Sequence, residues 1–511
     1  MVRIKKVLVI AAIGTSFAAN GQTAGNDFVS ARTQKVDMPT NFCVENNSQP
    51  IKWNGQLEKW DMKKGNGTKE FPILIEKPEH LAFLANEVKY GEGAVDNVVF
   101  KDVYFKLMVN FDLNGIPWTP IGYRIRDSWH HFFGGHFDGN GHTISGLFVN
   151  CKDEWLGLFG GIKDGSVSCL KVSGRIERID PPIPAPIPDL PPPPPTFCEP
   201  YGGGIVAFSV NTTIQNCYSE CNILFKNTDP TFLGGITGGI EGGSISFCAN
   251  RGNITTISTG DTTLLGGIAG YAKNATISNS YNTGDIESVS DELSDICCRG
   301  GIVGDGNGAD IIDCYNMGNV GGDCDARRFS GGIVAVALDI IIKNCYNTGS
   351  ISDTKGGVII GKQFSNANVS NCYYLNVSGE NNSLGGTSKT ENFMKTTEMV
   401  ELLGSAFGQD VMPYFNQGYP ILLNNALTTG ITESTSSFSN KVTIYPNPTA
   451  TQLYVNRINQ ETADYTIYNI MGQVILQGKL QGESSTINIE YLAKGMHYIK
   501  FAGKTLKFVK E

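Results

Sequence analysis

The stretch "IIKNCYNTGSI" (residues 341–351) is one copy of a phrase that recurs along the middle of a 511-residue chain. One position marks each copy, at spacings of 27 to 34 residues: Cys217, Cys248, Ser280, Cys314, Cys345 and Cys372. A glycine pair followed by an aliphatic residue recurs in phase with it: Gly203-Gly204-Ile205, Gly234-Gly235-Ile236, Gly266-Gly267-Ile268, Gly300-Gly301-Ile302, Gly331-Gly332-Ile333 and Gly356-Gly357-Val358, with an outlying copy at Gly160-Gly161-Ile162. Two markers with one period indicate a single structural unit that is stacked many times.

The units contain no helical periodicity, so they consist of strands. β-branched and aromatic residues alternate with an Asn-Thr-Gly turn, as in "TISNSYNTGDI" (276–286), where we expect glycine to supply a positive φ. Short strands that cannot bury their own apolar face must stack on their neighbours. The sequence therefore predicts an all-β fold, a parallel β-helix with one coil per period.

Equivalent residues of successive coils should lie about 4.8 Å apart and form ladders. One predicted ladder is polar and lies at a bend of the coil: Asn216, Asn279, Asp313, Asn344 and Asn371. A second predicted ladder consists of buried cysteines: Cys169, Cys217, Cys248, Cys314, Cys345 and Cys372. A bend at Asn344 is required if Ile342 and Cys345 are both to point inward.

An aromatic residue follows the cysteine in most units: Tyr218, Tyr281, Tyr315, Tyr346 and Tyr373. If this column faces outward, it is a candidate strip on which sugar rings or a protein could bind. If it faces inward, it is part of the core. The sequence leaves both interpretations open.

The first residues have the pattern of a signal peptide (1–21), with Arg3, Lys5 and Lys6 before an apolar run and small residues. Cleavage is expected after Ala19 or Gly21. It removes three positive charges, which takes the formal net charge from −9 to −12 and makes nucleic acid an unfavourable partner. No later segment is apolar enough for a transmembrane helix, so no membrane span is expected in the mature chain.

Seven of the thirteen cysteines lie outside the predicted ladder. Cys297, Cys298 and Cys324 could pair locally, as could Cys198 with Cys221, and one or two bridges are expected. The stretch "DPPIPAPIPDLPPPPPTFCEP" (180–200) reads as an extended polyproline loop. It is either a solvated insertion or a ligand for a proline-recognising partner.

Two segments outside the repeats are predicted to cap the solenoid. A helix is expected over 78–89, with Pro78 in its first turn and Gly91 at its end. Residues 393–404 and 417–422 are expected to cover the other end, where an open sheet edge would promote aggregation.

The lead-in to the repeats resembles bacterial surface proteins built on GLUG repeats. The matching phrases are Pro72–Ile75, the helix at 78–89, Asp112–Gly122 and Phe137–Leu147, followed by "GLFGGI" (157–162). The resemblance covers about residues 65–425. It implies a right-handed parallel β-helix at the cell surface, adhesin-like, with no agreed catalytic site.

The C-terminal residues resemble the sorting domain of type IX secretion. The matching residues are Pro446, Asn447, Pro448, Gly472, Gly495, Lys507 and Lys510, with Met496-His497-Tyr498 as a departure from the commoner pattern. Alternating apolar residues predict six or seven strands in a small β-sandwich. The resemblance implies recognition by the type IX machinery at the outer membrane of a gram-negative bacterium.

These patterns predict seven segments: signal peptide (1–21), lead segment (22–64), cap helix and first coils (65–156), repeats (157–390), C-terminal cap (391–427), linker (428–441) and sorting domain (442–511).

Catalytic and metal chemistry have weak support in the sequence. Pectate lyases and polygalacturonases share the β-helix scaffold, but their clustered carboxylates have no clear counterpart here. Four histidines, His130, His131, His136 and His142, could approach one another, although His142 belongs to a turn phrase. We therefore predict no catalytic residue, cofactor or metal. The expected function is binding of a glycan or surface protein outside the cell, and the alternative is a polysaccharide lyase or glycoside hydrolase.

Overall fold

The computed structural model describes residues 48–91, 94–124, 130–150, 154–179, 199–227, 230–258, 262–290, 296–323, 327–353, 356–376, 384–410, 416–423, 443–445, 449–456, 463–469, 474–480, 484–501 and 504–510. The predicted signal peptide, the Pro-rich residues 180–198 and the linker 428–441 lie outside these residues, as do Cys198 and Cys324.

The repeats form a parallel β-helix. Successive coils pair in parallel and in constant register; for example, Ala269 lies opposite Thr237 of the preceding coil and Val303 of the following one. Each coil contributes strands to five columns, numbered here in chain order within a coil. The coil at 263–290 shows all five as separate strands.

Column 1 is a six-stranded sheet of Trp155–Leu156, Tyr201–Gly203, Thr231–Gly234, Thr263–Gly266, Ile296–Gly300 and Arg327–Gly331. Column 2 contains Val98–Val99, His130–Phe133, Phe159–Lys163, Ala269–Lys273, Val303–Asn307, Val334–Leu338 and Ile360–Gln363. Column 3 contains Ile73–Ile75, Tyr104–Leu107, Thr276–Ser278, Asp310–Ile312, Ile340–Lys343 and Ala367–Ser370.

Column 4 contains Ile51–Lys52, Phe111–Asp112, Ala249–Asn250, Tyr281–Asn282, Tyr315–Asn316, Tyr346–Asn347, Tyr373–Leu375 and Thr387–Lys389. Column 5 contains Ile254–Ser258, Ile286–Ser290 and Val320–Gly321. Four long strands bend through two or more columns: His136–Asn150, Ser166–Ile179, Val206–Asn227 and Thr237–Ser246. Tyr123–Arg124 pairs antiparallel with His130–Phe133.

The predicted bend between columns 3 and 4 is confirmed. The polar residues of the predicted ladder have left-handed φ values near +50°, and Asn344 donates from Nδ2 to Oδ1 of Asp313 at 2.8 Å. The chain turns there, so Ile342 and Cys345 are both fully buried. The Cys345 thiol donates to the backbone carbonyls of Lys343 and Ile311.

Cys169 is an exception to the predicted cysteine ladder. Leu170 lies opposite Cys217, which places Cys169 at the left-handed bend, with a φ of +54°. Cys169 and Cys297 each take part in a disulfide bond, and neither bond involves the other ladder cysteines, which are free. Cys221 is free and buried, so the predicted Cys198–Cys221 pairing is wrong; Cys221 lies inside the coil, beneath the Gly204 carbonyl.

A second amide ladder, which the sequence interpretation missed, lies in column 4 and is fully buried. Each asparagine donates from Nδ2 to Oδ1 of the next at 2.8 Å, along Asn250, Asn282, Asn316 and Asn347. Each Nδ2 also donates to the carbonyl of the glycine two residues later. Ile144 and Val172 occupy this row in earlier coils, so the interior changes from apolar to polar along the solenoid.

The glycine pairs and the Asn-Cys-Tyr-Asn phrase recur in phase because residues of the two are in contact within each coil. A Cβ on Gly301 would collide with the Asn316 amide, and a Cβ on Gly332 would collide with that of Asn347. The Asn-Thr-Gly glycines also fill a steric role. We predicted that these glycines supply a positive φ, and this is wrong, because Gly284 and Gly318 do not have positive φ values. A Cβ at either position would instead collide with the backbone of the preceding coil.

Two of the glycine-pair copies are out of register. Gly331 lies opposite Gly357, and the Ile333 amide donates to the Ile359 carbonyl, so the last copy begins at Gly357, one residue later than predicted. Phe159 lies opposite Val206, which places Gly160-Gly161-Ile162 inside column 2. The last coil is shorter and the first has a different turn, and each shifts the pairing.

The predicted N-terminal helix is present as α1, Pro78–Tyr90. Pro78 is in its first turn, and Gly91 ends it with a φ of +68°. Leu81, Leu84 and Val88 are fully buried in the main core. The helix therefore extends the interior of the solenoid beyond its first coils.

The C-terminal segment contains α2 (Glu391–Met394), α3 (Thr397–Leu403) and an antiparallel pair, Phe407–Gly408 with Ile421–Leu422. Its buried side chains pack against the tyrosines of column 4. The strand Tyr373–Leu375 of the last described coil pairs with Thr387–Lys389 and not with this segment. Residues 391–410 and 416–423 thus cover a flank of the solenoid; here they are named the roof.

The final residues form a small β-sandwich, as predicted. One antiparallel sheet contains Thr443–Tyr445, Gln452–Asn456 and Ser484–Asn488; the other contains Ala463–Asn469, Val474–Leu480, Gly495–Phe501 and Lys504–Lys510. Both sheets contribute to one core, for example Leu453 and Ile487 from the first and Ile467 and Phe508 from the second. Across the described residues, no helix is long and apolar enough to span a membrane.

Candidate functional site

The tyrosine column is buried, which corrects its interpretation as a candidate binding strip. Tyr218, Tyr281, Tyr315, Tyr346 and Tyr373 are all 8% exposed or less. Tyr281, Tyr315 and Tyr346 stack with ring centroids 4.8 Å apart. The column lies on the opposite side of its strands from the cysteine ladder, in a separate apolar cluster with the roof. It points away from the main core, and the chain itself covers it.

Polar groups of the roof complete the hydrogen bonds of this column. The Tyr346 hydroxyl donates to the Pro420 carbonyl at 2.6 Å and accepts from Asn416 Nδ2 at 2.8 Å. Asp410 Oδ2 accepts from the amides of Asn416 and Gly418. Burial raises the pKa of the Tyr346 hydroxyl well above its usual value. The column is therefore a closed interface within the chain.

The four clustered histidines have separate structural partners. His142 Nδ1 lies 3.1 Å from Asn110 Oδ1, and His136 Nδ1 lies 2.9 Å from the Ser166 hydroxyl. His131 contacts the Lys89 carbonyl, and His130 is exposed beside Trp155. Among the described residues, no group of three or more His, Cys, Asp or Glu is placed to hold a metal ion.

A second aromatic surface lies in the angle between columns 1 and 2, and the sequence interpretation missed it. Register aligns six side chains along column 1: Trp155, Tyr201, Phe232, Leu264, Cys298 and Phe329. The facing row of column 2 is Gly161, Phe208, Gly239, Tyr271, Asp305 and Val336. These two rows are named the aromatic cleft.

Two glycines let the columns approach each other in this cleft. A Cβ on Gly161 would collide with the Trp155 ring, and a Cβ on Gly239 would lie 2.7 Å from the Tyr201 ring. Tyr201 and Phe232 stack with centroids 4.5 Å apart and an interplanar angle of 12°. Phe208 contacts both Trp155 and Tyr201. The cleft is a continuous aromatic surface over several coils.

The floor and the edge of the cleft differ in exposure. Trp155, Tyr201 and Phe232 are buried, whereas Phe208, Tyr271 and Phe329 are only partly buried. The partly buried rings present their edges or faces to solvent. A ligand in the cleft would therefore contact Phe208, Tyr271 and Phe329 first.

Two buried polar atoms of the cleft have no hydrogen-bond partner: Trp155 Nε1 and Asp305 Oδ1. Asp305 lies in register between Tyr271 and Val336, so its carboxyl is within the apolar surface. Burial raises the pKa of this carboxyl to about 7. A buried polar atom without a partner is costly, and such atoms are frequent at binding sites.

The N-terminal end of the cleft is charged but paired. Arg124 Nε lies 2.6 Å from Glu154 Oε2, and its guanidinium lies 5.8 Å from the Trp155 ring centroid. Farther along, Lys273 Nζ lies 3.7 Å from Glu241 Oε2. Among the described residues, no cation forms an ion pair with Asp305, in contrast to Glu154 and Glu241.

The sequence signal for the cleft is weak because its columns are not uniform. Column 1 changes from tryptophan to tyrosine, phenylalanine, leucine and cysteine, so no repeat marks it. The signal that could have found it is the residue four places before each Gly-Gly-Ile isoleucine, as in Tyr201, Phe232 and Leu264. This position is apolar in most coils.

Of the predicted sorting residues, Pro446, Asn447, Pro448 and Gly472 lie outside the described residues. Gly495 has a φ of +129° and opens a strand, Lys507 lies opposite Tyr498, and Lys510 is buried. His497, part of the departure from the common pattern, is buried against Phe508. The departure is thus accommodated within the sandwich core.

Strand order and register define a parallel β-helix followed by a β-sandwich. A family model described as the secretion system C-terminal sorting domain matches residues 443–511. A second, described as the GLUG motif, matches residues 261–287, which is one coil from column 1 to column 5. The chain carries a GLUG motif and a type IX sorting domain, and is a secreted or surface-attached protein of a gram-negative bacterium.

Two curated proteins match short parts of the chain. A putative Gly-rich membrane protein of Evansella cellulosilytica is 35% identical over 101 residues, 19% of this chain and 10% of that protein. Beta-agarase A of Zobellia galactanivorans is 36% identical over 67 residues, 13% of this chain and 12% of that protein. The chain thus spans about a tenth of the length of these relatives.

One solved structure was also similar. An IgA1 protease aligns with 79% of this chain and 32% of its own, at 12% identity and a TM-score of 0.37.

Proposed function

We propose that the β-helix is an extracellular binding module, and that its ligand is a glycan chain held in the aromatic cleft. The observation that carries this proposal is the in-register aromatic surface with two unpartnered polar atoms. Aromatic faces pack on the apolar faces of sugar rings. Sugar hydroxyls can donate to the carboxyl of Asp305, whose side chain is partly exposed at the edge of the cleft.

The geometry of the solenoid suits an extended polymer. Neighbouring strands lie about 4.8 Å apart, which is comparable to the length of one monosaccharide, so successive coils can each contact a successive sugar. The contacts repeat from Trp155 to Phe329 over six strands of column 1. Many weak contacts along one chain would add to a useful affinity.

The remaining parts of the proposal concern delivery. The signal peptide 1–21 would direct the chain across the inner membrane, and the sorting domain would direct it through the type IX system. The seven segments predicted from the sequence are the proposed domain organisation, and the proposed role is adhesin-like. Residues 180–200 would be either a solvated insertion or a ligand for a proline-recognising partner. The sorting residues Pro446 to Lys510 would contact the secretion machinery.

The test is glycan binding by the secreted protein, purified from culture medium and applied to a glycan array. Tyr271→Ala and Phe208→Ala should each weaken binding about tenfold, because each removes a stacking face. Tyr104→Ala is the matched control, since Tyr104 is a partly buried tyrosine that stacks on His136 in column 3. Binding that is unchanged by the cleft variants, or lost equally in the control, would refute the proposal.

A second candidate is a polysaccharide hydrolase or lyase. One observation favours it: the carboxyl of Asp305 has a pKa of about 7, which suits a general acid, and Glu241 acts electrostatically on the same tyrosine, Tyr271. Agarose is one substrate to include, because a relative is named as an agarase. Release of reducing ends that disappears in Asp305→Asn would establish this function; binding without cleavage would exclude it for the polymers used.

A further inference from the structure

The electrostatic surroundings of Tyr271 are acidic. The pKa of its hydroxyl is raised first by burial and then by the carboxylates of Asp305, Glu241 and Glu199. Lys273 pairs with Glu241, which leaves Asp305 as an acid without a cation. At a pH above about 7, where Asp305 is ionised, the middle of the aromatic cleft is therefore a place where a second negative charge would be repelled.

The cationic residue nearest to Asp305 in the sequence is Arg299, and it does not neutralise the Asp305 carboxylate. Arg299 follows Cys298 in column 1, but its guanidinium points to the interior, where Nη2 lies 3.8 Å from Asp353 Oδ2. Its Nε donates to the Ser330 hydroxyl, and its side chain is fully buried. Cys298, which faces the cleft, has a thiol pKa raised by burial and then by Asp305, so it stays uncharged.

We infer that the cleft selects uncharged glycans over acidic ones, and that Asp305 is the residue that determines this selectivity. A hydroxyl of a neutral sugar can donate to the partly exposed carboxylate of Asp305. A uronate or sulfate at the same place would set like charges against each other in an apolar surface, where the repulsion is weakly screened. This inference rests on the proposed glycan binding.

The arrangement of charges also argues against a calcium site at Asp305. A single carboxylate beside aromatic rings lacks the several oxygen ligands that a calcium ion requires. No cluster of metal-binding side chains occurs among the described residues. Bridging of an acidic glycan through calcium would therefore need ligands from the glycan itself, and chelation by EDTA should leave the selectivity unchanged.

The experiment is affinity electrophoresis of the full secreted protein at about pH 8.5, where Asp305 is ionised, in gels that contain matched polymers. Three neutral polymers (agarose, hydroxyethyl cellulose and laminarin) are each compared with a carboxymethylated derivative of the same backbone. The wild type should bind at least one neutral polymer about tenfold more tightly than its acidic derivative. In Asp305→Asn, which keeps the size and the Oδ1 acceptor, the ratio should fall to about threefold or less.

Glu287→Gln is the matched control. Glu287 is exposed on column 5, so the substitution changes the net charge equally but away from the cleft, and the ratio should remain that of the wild type. Asp305→Ser is a second variant with the same expected loss. The thermal midpoint of each variant is measured first, to establish folding.

The outcomes separate the two proposals. If the wild type binds none of the six polymers and no array glycan, the proposed function fails. If it binds neutral and acidic derivatives equally, or if Asp305→Asn retains the full preference, glycan binding stands and the inference about Asp305 is overturned.

Discussion

The tyrosine column and the aromatic cleft are two aromatic surfaces built in the same way, by stacking one side chain per coil, and they have opposite fates. The column is a tyrosine in every coil from Tyr218 to Tyr373 except one, where Ala249 replaces it, and the roof covers it and completes its hydrogen bonds. The cleft is irregular, and it retains Trp155 Nε1 and Asp305 Oδ1 without partners. Near-uniform repetition thus marks a surface used for structure, and departure from the repeat marks the surface available to a ligand.

The largest expected difference between the two surfaces is in stability. Tyr346→Ala should lower the free energy of unfolding by about 3–5 kcal/mol, because it removes a fully buried ring at the centre of the column. Tyr271→Ala in the cleft should cost less than about 1 kcal/mol, because its ring is partly exposed. Urea unfolding monitored by circular dichroism measures both. Equal costs would show that the two surfaces do not differ in role.

The next effect concerns the attachment of the roof. Asp410→Ala should lower the free energy of unfolding by about 2–3 kcal/mol, because the buried amides of Asn416 and Gly418 lose their acceptor. Limited proteolysis between residues 391 and 423 should accelerate in parallel. Glu398→Ala, an exposed acid on α3, is the control and should change neither. A roof that remains protected in Asp410→Ala would contradict the assigned role.

A smaller effect, of opposite sign, is expected in the cleft. The pKa of Asp305 rises from 3.8 to about 7 on folding, so the native state holds a proton that the unfolded state releases between those values. Stability therefore falls as the pH rises through this window. Asp305→Asn removes this loss and should be more stable than the wild type at pH 8, by about 1–2 kcal/mol, which is less than the full pKa shift implies because the side chain is partly exposed; the difference at pH 4 should be small.

The measurement is the urea midpoint of both proteins at pH 4 and pH 8. Glu287→Gln should show no such change with pH, because its side chain is exposed. An Asn variant that is less stable at pH 8 would mean that Asp305 is a structural residue and not a strained one.

The smallest predicted effect isolates one hydrogen bond of the column. Tyr346→Phe should lower the free energy of unfolding by about 1 kcal/mol, because the ring stack remains and only the hydroxyl is lost. Asn416 still donates to the Pro420 carbonyl. A cost near that of Tyr346→Ala would assign the stability of the column to its polar contacts.

The sequence predicted those features that rest on a local sequence pattern. The period, the bend at Asn344, the buried cysteines, the Pro78 helix and the C-terminal sandwich all follow from local patterns. The sequence did not reveal why the two markers recur in phase, because Gly301 and Asn316 come into contact only once the coil has folded.

The roof and the cleft could not be predicted for a related reason. The roof joins Tyr346 to Pro420, 74 residues apart, with no shared motif. The cleft brings together columns whose residues change from coil to coil, so neither Asp305 nor Trp155 belongs to a recurring phrase. Both arise from three-dimensional docking, which a periodic pattern does not encode.

The buried amide ladder has a direction, since every asparagine from Asn250 to Asn316 donates to the next coil toward the C-terminus. Removing part of a coil would leave a donor facing a site without an acceptor, whereas removing a whole coil would rejoin donor and acceptor. Gene duplication or loss in this region can therefore succeed only in complete units. The length of the solenoid can therefore change in steps of one coil, about 4.8 Å each.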